Sequence, residues 1–261
     1  MRAIISRLIN APAMARWRQS YAEWRLSQTK PDVPKCDENG VPFPNAYLMA
    51  RVAGNIDWQG FQESGKRELT LFRDLIAEQG GDLANAARVL DFGCGCGRLT
   101  RHLPSLTSAD IYGCDYNRQL VSWCAENLTG TFQANRLKPP LRYADESFDT
   151  IYLYSVFTHL REATQKAWLA EFHRVLKPGG MVLISFHDED HRALREIGIA
   201  PDAFERQPFL VHNDQAEGSN HLSVYQTREH FVSQAAEWFE VLAVKSSIES
   251  QVGQAVAVLR R

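Results

Sequence analysis

Three glycines at alternate positions, Gly93, Gly95 and Gly97, follow the run Arg88-Val-Leu-Asp-Phe92. Glycine takes positive φ freely and puts no Cβ in a ligand's way, so this spacing suits a turn that lays backbone against a bound group. Val89 and Leu90 suit a buried parallel strand leading into that turn. Asp91, at the strand's end, can accept hydrogen bonds from a cationic or NH-bearing part of a ligand. A second strand-like run, Ala109-Asp-Ile-Tyr-Gly-Cys-Asp115, ends in an acid 20 residues beyond Gly95. A carboxylate there suits the paired hydroxyls of a ribose. Asp115 also fits the N-cap of a helix over 117–127, and both roles stay open. His159 and His187 follow two later strand-like runs and carry groups able to take a proton near neutral pH. Asp188 is placed to orient the His187 ring, while His212, His221 and Tyr225 are further polar candidates without a role.

The glycine spacing separates two nucleotide-binding readings. A dinucleotide fingerprint, G-x-G-x-x-G, would need its third glycine at Arg98 or Thr100, so neither register fits. Asp91 followed by Gly-Cys-Gly-Cys-Gly97 instead resembles motif I of the class I S-adenosylmethionine-dependent methyltransferases. The resemblance extends over residues 87–180. Phe132-Gln-Ala-Asn135 resembles the third strand and its end, Ser147-Phe-Asp-Thr-Ile-Tyr-Leu-Tyr-Ser-Val-Phe-Thr-His159 the fourth strand with its exit turn, and Arg174-Val-Leu-Lys-Pro-Gly-Gly-Met-Val-Leu-Ile-Ser185 the turn into the fifth.

That likeness implies S-adenosylmethionine as cofactor. It implies that Asp91, Gly93, Gly95, Gly97, Asp115 and Tyr116 contact it, with Asn135 and Leu137 beside the adenine and Tyr154 a further contact beyond strand four. Arg51 is a bidentate donor suited to the carboxylate of the cofactor's methionine part. His159 and His187 are the expected catalytic residues, and no metal is expected.

With 261 residues and 44% hydrophobic content, the chain can bury one full core plus an appendage. A net charge of −2 gives no general attraction to nucleic acid. The aromatic proline tetrad of amino-methylating DNA enzymes is absent after strand four, where Tyr154-Ser-Val-Phe157 stands, and Lys138-Pro-Pro-Leu141 precedes that strand. Residues 152–160 carry no acid that could ligate a metal there. Cys94-x-Cys96 is too tight for usual zinc spacing, and the five cysteines read as reduced thiols of a cytoplasmic protein.

The periodicity implies a Rossmann-like, doubly wound α/β sheet of about seven strands, mostly parallel, with a C-terminal antiparallel hairpin and an N-terminal helical extension. Residues 1–63 form that extension with a lid or linker, and residues 64–261 the cofactor-binding domain with an insertion at 187–226. Within the extension, Met14, Trp17, Tyr21 and Trp24 recur at helical spacing among basic residues. Residues 1–28 are therefore expected to dock on the domain, mediate homo-oligomer formation or touch an anionic membrane as a peripheral helix. Residues 45–63 show no clear periodicity. Ser64 reads as an N-cap for a helix stopped by Gly80, residues 161–176 as a helix with Ala163, Ala167, Ala170, Phe172 and Val175 toward the sheet, and Thr227 as another cap. The expected activity is methyl transfer to a small-molecule acceptor, most often at oxygen of a sugar or secondary metabolite. The alternative is a cofactor-binding scaffold or regulatory subunit of the same fold that has no transfer activity.

Overall fold

A computed structural model describes residues 34–200 and 202–261, which leaves the aromatic stripe of residues 14–24 outside the described residues. The chain divides after Ser64 into two compact units. In the N-terminal unit, Asn45 caps helix α1 (Ala46–Ala53) by accepting from Leu48 N–H at 2.9 Å, and Gly54 ends it at φ +74°. This helix lies in the stretch that showed no periodicity. Helix α2 (Trp58–Glu78) begins six residues before the expected Ser64 cap. The reason is Asp57, whose carboxylate accepts from Gly60 N–H at 3.0 Å and supplies the N-terminal acceptor.

The C-terminal unit is built on a seven-stranded sheet. In chain order its strands are β1 (Arg88–Phe92), β2 (Asp110–Asp115), β3 (Thr131–Ala134), β4 (Phe148–Leu153), β5 (Leu176–Phe186), β8 (Glu240–Lys245) and β9 (Ala255–Arg260). Their spatial order is β3-β2-β1-β4-β5-β9-β8. Strands β1 to β5 pair in parallel, and β9 runs antiparallel between β5 and β8, as the hairpin expectation required. Two further strands, β6 (Phe209–His212) and β7 (Ser223–Gln226), make a separate antiparallel ribbon within the insertion. The insertion also holds two single-turn helices, α5 (Ala193–Glu196) and α6 (Ala203–Arg206).

Both sheet faces are covered, as parallel strands require. Leu69, Phe72 and Ile76 of α2 pack with Val89, Ile111, Leu183 and Val256 on one face. On the other, Trp168, Leu169 and Phe172 of α4 (Glu162–Val175) pack with Leu90, Phe92, Ile151 and Ile184. Helix α7 (Arg228–Ala235) adds Phe231 and Ala235, and Thr227 caps it by accepting from His230 N–H. Helix α3 (Arg118–Asn127) is capped by Asn117, so Asp115 is not the cap. The inward face of α4 also differs from expectation. Ala163 is exposed, whereas Thr164, Gln165, Trp168, Leu169, Phe172 and Val175 are buried. The large rings set the helix rotation because they remove far more apolar area than the alanines. Phe172 meets Phe92 at 4.8 Å between ring centroids. Phe172→Ala should therefore cost about 3–5 kcal/mol in denaturant unfolding, and Ala163→Ser less than about 0.5 kcal/mol.

Candidate active site

Because β1 to β5 are parallel, their carboxyl ends share one edge of the sheet, where ligands of open α/β sheets bind. That edge collects Asp91 and Gly93 to Gly97 from β1, Asp115 and Tyr116 from β2, Asn135 and Leu137 from β3, Tyr154 to His159 from β4, and His187 from β5. Arg51 lies in the last turn of α1, within the N-terminal unit.

The glycine turn needs its glycines. Gly93, Gly95 and Gly97 have φ of +76°, +55° and +72°, a region that side-chain-bearing residues seldom occupy. A Cβ on Gly93 would stand 2.3 Å from Val156 Cγ2, and one on Gly97 2.2 Å from Leu128 Cδ1. Three amides fasten the turn to β2. Gly93 and Cys94 both donate to Cys114 O, at 2.7 and 3.0 Å, and Gly95 donates to Asp115 Oδ2 at 3.1 Å. Asp115 Oδ1 accepts from Asn117 N–H at 2.8 Å. The second acid is thus held over the turn by two backbone donors.

Asp91 has protein partners of its own. Its Oδ2 accepts from Thr100 Oγ1 at 2.5 Å and Tyr152 OH at 2.8 Å. Sequence reasoning passed over both donors. Tyr152 could have been found, since pairing of β1 with β4 puts it beside Asp91. Burial pushes the Asp91 carboxyl up to about 6, against the pull of the two hydroxyl donors. Tyr154 donates to Val252 O at 3.0 Å and lies under the Arg98 guanidinium, 5.0 Å from its ring centre. Arg98 in turn pairs with buried Glu68 at 2.5 Å.

At the end of β3, Asn135 Nδ2 donates to Arg136 O, which leaves Oδ1 as a buried acceptor with no protein partner. Such an atom is costly unless a ligand donor meets it. Beyond β4, Ser155 has φ +58°, and a ring of hydrogen bonds holds it there. Its N–H donates to Ser185 Oγ (2.7 Å), Ser185 Oγ donates to Gln254 Oε1 (2.8 Å), and Gln254 Nε2 donates to Ser155 Oγ (3.0 Å). A strained residue over-determined by its neighbours is the kind of feature that clusters at working sites.

The two histidines stand in different surroundings. His159 Nδ1 lies 2.7 Å from Leu222 O. A carbonyl only accepts, so Nδ1 carries the hydrogen and Nε2 is the lone-pair atom. Burial lowers its pKa, with His221 adding to the effect, so the ring is neutral at pH 7. His187 stacks on Tyr225, with 5.0 Å between centroids, and meets His191 in a tilted arrangement at 4.1 Å. Its Nδ1 is buried without a partner, and burial pushes its pKa down to about 2. The expectation that Asp188 orients this ring is wrong. Asp188 is fully buried on other partners, namely the Arg228 guanidinium and the N–H and Oγ of Ser247. An ion pair and a serine 59 residues away outcompete the adjacent ring.

Comparison with known proteins places this sheet among methyltransferase folds. Residues 89–180 match the family described as a methyltransferase domain. A phosphoethanolamine N-methyltransferase of Arabidopsis thaliana is 30% identical over 132 residues, covering 49% of this chain and 26% of the relative. A sterol 24-C-methyltransferase of Gibberella zeae is 29% identical over 134 residues, covering 47% and 34%. The chain thus spans about a quarter to a third of these curated relatives' length. Among solved structures, a 1,6-didemethyltoxoflavin-N1-methyltransferase of Burkholderia thailandensis, with S-adenosylhomocysteine bound, superposes with a TM-score of 0.57 at 17% identity, covering 82% of this chain and 85% of that one. An S-adenosylmethionine-dependent methyltransferase of Mesorhizobium loti gives 0.53 at 13% identity, covering 72% and 96%. These likenesses define a Rossmann-like methyltransferase fold. Residues 89–180 thus match a methyltransferase domain, and the fold is that of S-adenosylmethionine-dependent methyltransferases of known structure.

The two shifted groups impose opposite pH dependences on stability. Asp91 is raised from 3.8 to about 6, so its folded form favours the proton, and that stabilisation fades as pH rises from about 4 through 6. His187 is lowered from 6.5 to about 2, so the unfolded chain favours its proton, and stability fades as pH falls below about 6.5. In urea unfolding at pH 4.5 and 6.5, the stability of Asp91→Asn relative to wild type should improve toward the higher pH. That of His187→Phe should improve toward the lower one.

Proposed function

We propose that this chain transfers a methyl group from S-adenosylmethionine to a small-molecule acceptor whose nucleophile is an oxygen or nitrogen still carrying a proton. The observation that carries the reading is Asp115, held by Gly95 and Asn117 amides at the turn where all three glycines take positive φ. A ribose bearing two hydroxyls suits that carboxylate. Asn135 Oδ1, buried without a partner, suits the exocyclic amine of an adenine, with Leu137 and Tyr116 as its flanks. The residues present therefore fit the group. When bound, S-adenosylmethionine would supply a methyl carbon made electrophilic by its sulfonium.

The chain's own contribution is alignment and proton handling. His159 is the better base of the two histidines. Its Nε2 offers the lone pair, its Nδ1 hydrogen is held by Leu222 O, and its burial is less perturbing than that of His187. The proton that the acceptor's oxygen or nitrogen gives up on methylation would pass to that Nε2. His187, held neutral among rings, is suited to receiving a hydrogen bond from the acceptor rather than keeping a proton. A base of this kind has a purpose in transfer and none in a scaffold, which favours the enzyme over the binding-only alternative. The named relatives methylate nitrogen or carbon, so a sugar or secondary-metabolite hydroxyl as acceptor rests on the histidine chemistry.

Asp115→Ala should weaken S-adenosylhomocysteine binding by about 1.5–3 kcal/mol in calorimetry, the scale of hydrogen bonds to a charged group. Wild-type affinity in a folded Asp115→Ala protein would remove the ribose assignment. Once an acceptor is found by screening, His159→Ala should lower kcat about 10²–10⁴-fold with cofactor affinity unchanged. A loss below tenfold would show that His159 is not the base.

A further inference from the structure

One loop of the insertion reaches back over the cofactor half of the site. We propose that residues 213–222 form a strap across the adenine end, and that the cofactor exchanges only when this strap lifts. The proposal rests on the cofactor site argued above, and the test separates the two.

The strap's middle lies on the residues assigned to the adenine. A Cβ on Gly218 would stand 2.8 Å from Leu137 Cδ1 and 3.6 Å from Tyr116 Cε1, so glycine backbone lies directly against both flanks. Gly218 also has φ +83°, which a larger residue would take only under strain. Its N–H donates to His159 O at 2.9 Å, tying the strap to the exit turn of β4.

The fastenings are polar and separable. Glu217 Oε1 accepts from Arg161 N–H at 2.9 Å. Arg161 is the N-cap position of α4 and makes no side-chain cap bond, so Glu217 places a carboxylate at the positive end of that helix. The Arg161 guanidinium pairs with Asp214 and, at 3.7 Å, with Glu217 Oε2. Residues 213–216 are exposed, and Asn213 takes φ +51° where the strap leaves β6. At the far end Leu222 is fully buried against Phe209 and Val224. Among the described residues the loop thus combines an apolar anchor with a polar latch, the composition of a segment that opens locally without unfolding its domain. Closing it excludes water from the adenine end and holds the assigned flanks in place. This makes Glu217 and Gly218 positioning residues for cofactor binding, acting through Arg161, Tyr116 and Leu137.

The test uses the full chain and S-adenosylhomocysteine, with no acceptor required. Dissociation is followed by stopped-flow chase for wild type, Glu217→Ala and Gly218→Val. Both variants should release the ligand about tenfold faster or more, the size of one lost charge-assisted bond. Glu217→Gln, which keeps an acceptor for Arg161 N–H, should fall between. Off-rates within twofold of wild type, in variants that melt with wild type, overturn the proposal. Hydrogen exchange on the wild type gives an arm independent of variant folding. Amides of 213–222 should gain protection when S-adenosylhomocysteine is added, and unchanged protection overturns the strap. If the wild type binds no S-adenosylhomocysteine at millimolar concentration, the cofactor site itself fails and the strap falls with it. Binding with unaltered off-rates and exchange sinks the strap alone.

Discussion

The three hydrogen bonds that tie the glycine turn to the end of β2 are the constraint from which the rest of the site follows. Gly93 and Cys94 share the carbonyl of Cys114, and Gly95 takes one oxygen of Asp115. A turn bonded in this way must reverse tightly beside β2, and only residues tolerating positive φ can do so. The same bonds fix the Asp115 carboxylate against the backbone of the turn. Asp91 braces the other side, joining β1 to β4 and to the turn of residues 100–105 through Tyr152 and Thr100. The turn and its acid are therefore positioned by the fold itself, which is the advantage of preorganisation for any ligand that docks there.

Around this rigid edge the protein keeps polar atoms that its own fold does not satisfy. Asn135 Oδ1 and His187 Nδ1 are buried acceptors without partners, and Ser155 is held in a left-handed conformation. Each costs stability relative to an apolar or unstrained replacement. The apolar packing on both sheet faces offsets this. Phe92, Trp168 and Phe172 on one side, and Leu69, Phe72 and Ile76 on the other, are almost completely buried. The strain of Ser155 and the unmet acceptors of Asn135 and His187 lie at the carboxyl edge of the strands, and the apolar packing lies in the middle of the sheet.

How much of this was legible in the sequence depended on how local the cause was. The strands and their ends could be read because glycines with an acid at fixed spacing leave few alternatives, and β1 to β5 stand where the run of residues placed them. Helix α1 and the start of α2 could not, because Gly54, Gly60 and Gly65 interrupt the period while Asn45 and Asp57 supply caps that look like loop residues. The inward face of α4 was misjudged for a different reason. Spacing alone cannot say whether alanines or aromatics face the sheet, and burial of the larger rings decided it. Long-range polar pairing was the least legible. Asp188 turns to Arg228 and Ser247, and Glu217 to Arg161, across separations that no local pattern records.

The central claim is that the glycine turn and Asp115 form a site for the adenosyl part of S-adenosylmethionine. Calorimetric titration of the intact chain with S-adenosylhomocysteine tests it most directly. Saturable binding at one ligand per chain, abolished by Gly95→Val in a protein that still melts cooperatively, is the result this account predicts. No heat of binding up to millimolar ligand, or equal binding by Gly95→Val, would contradict it.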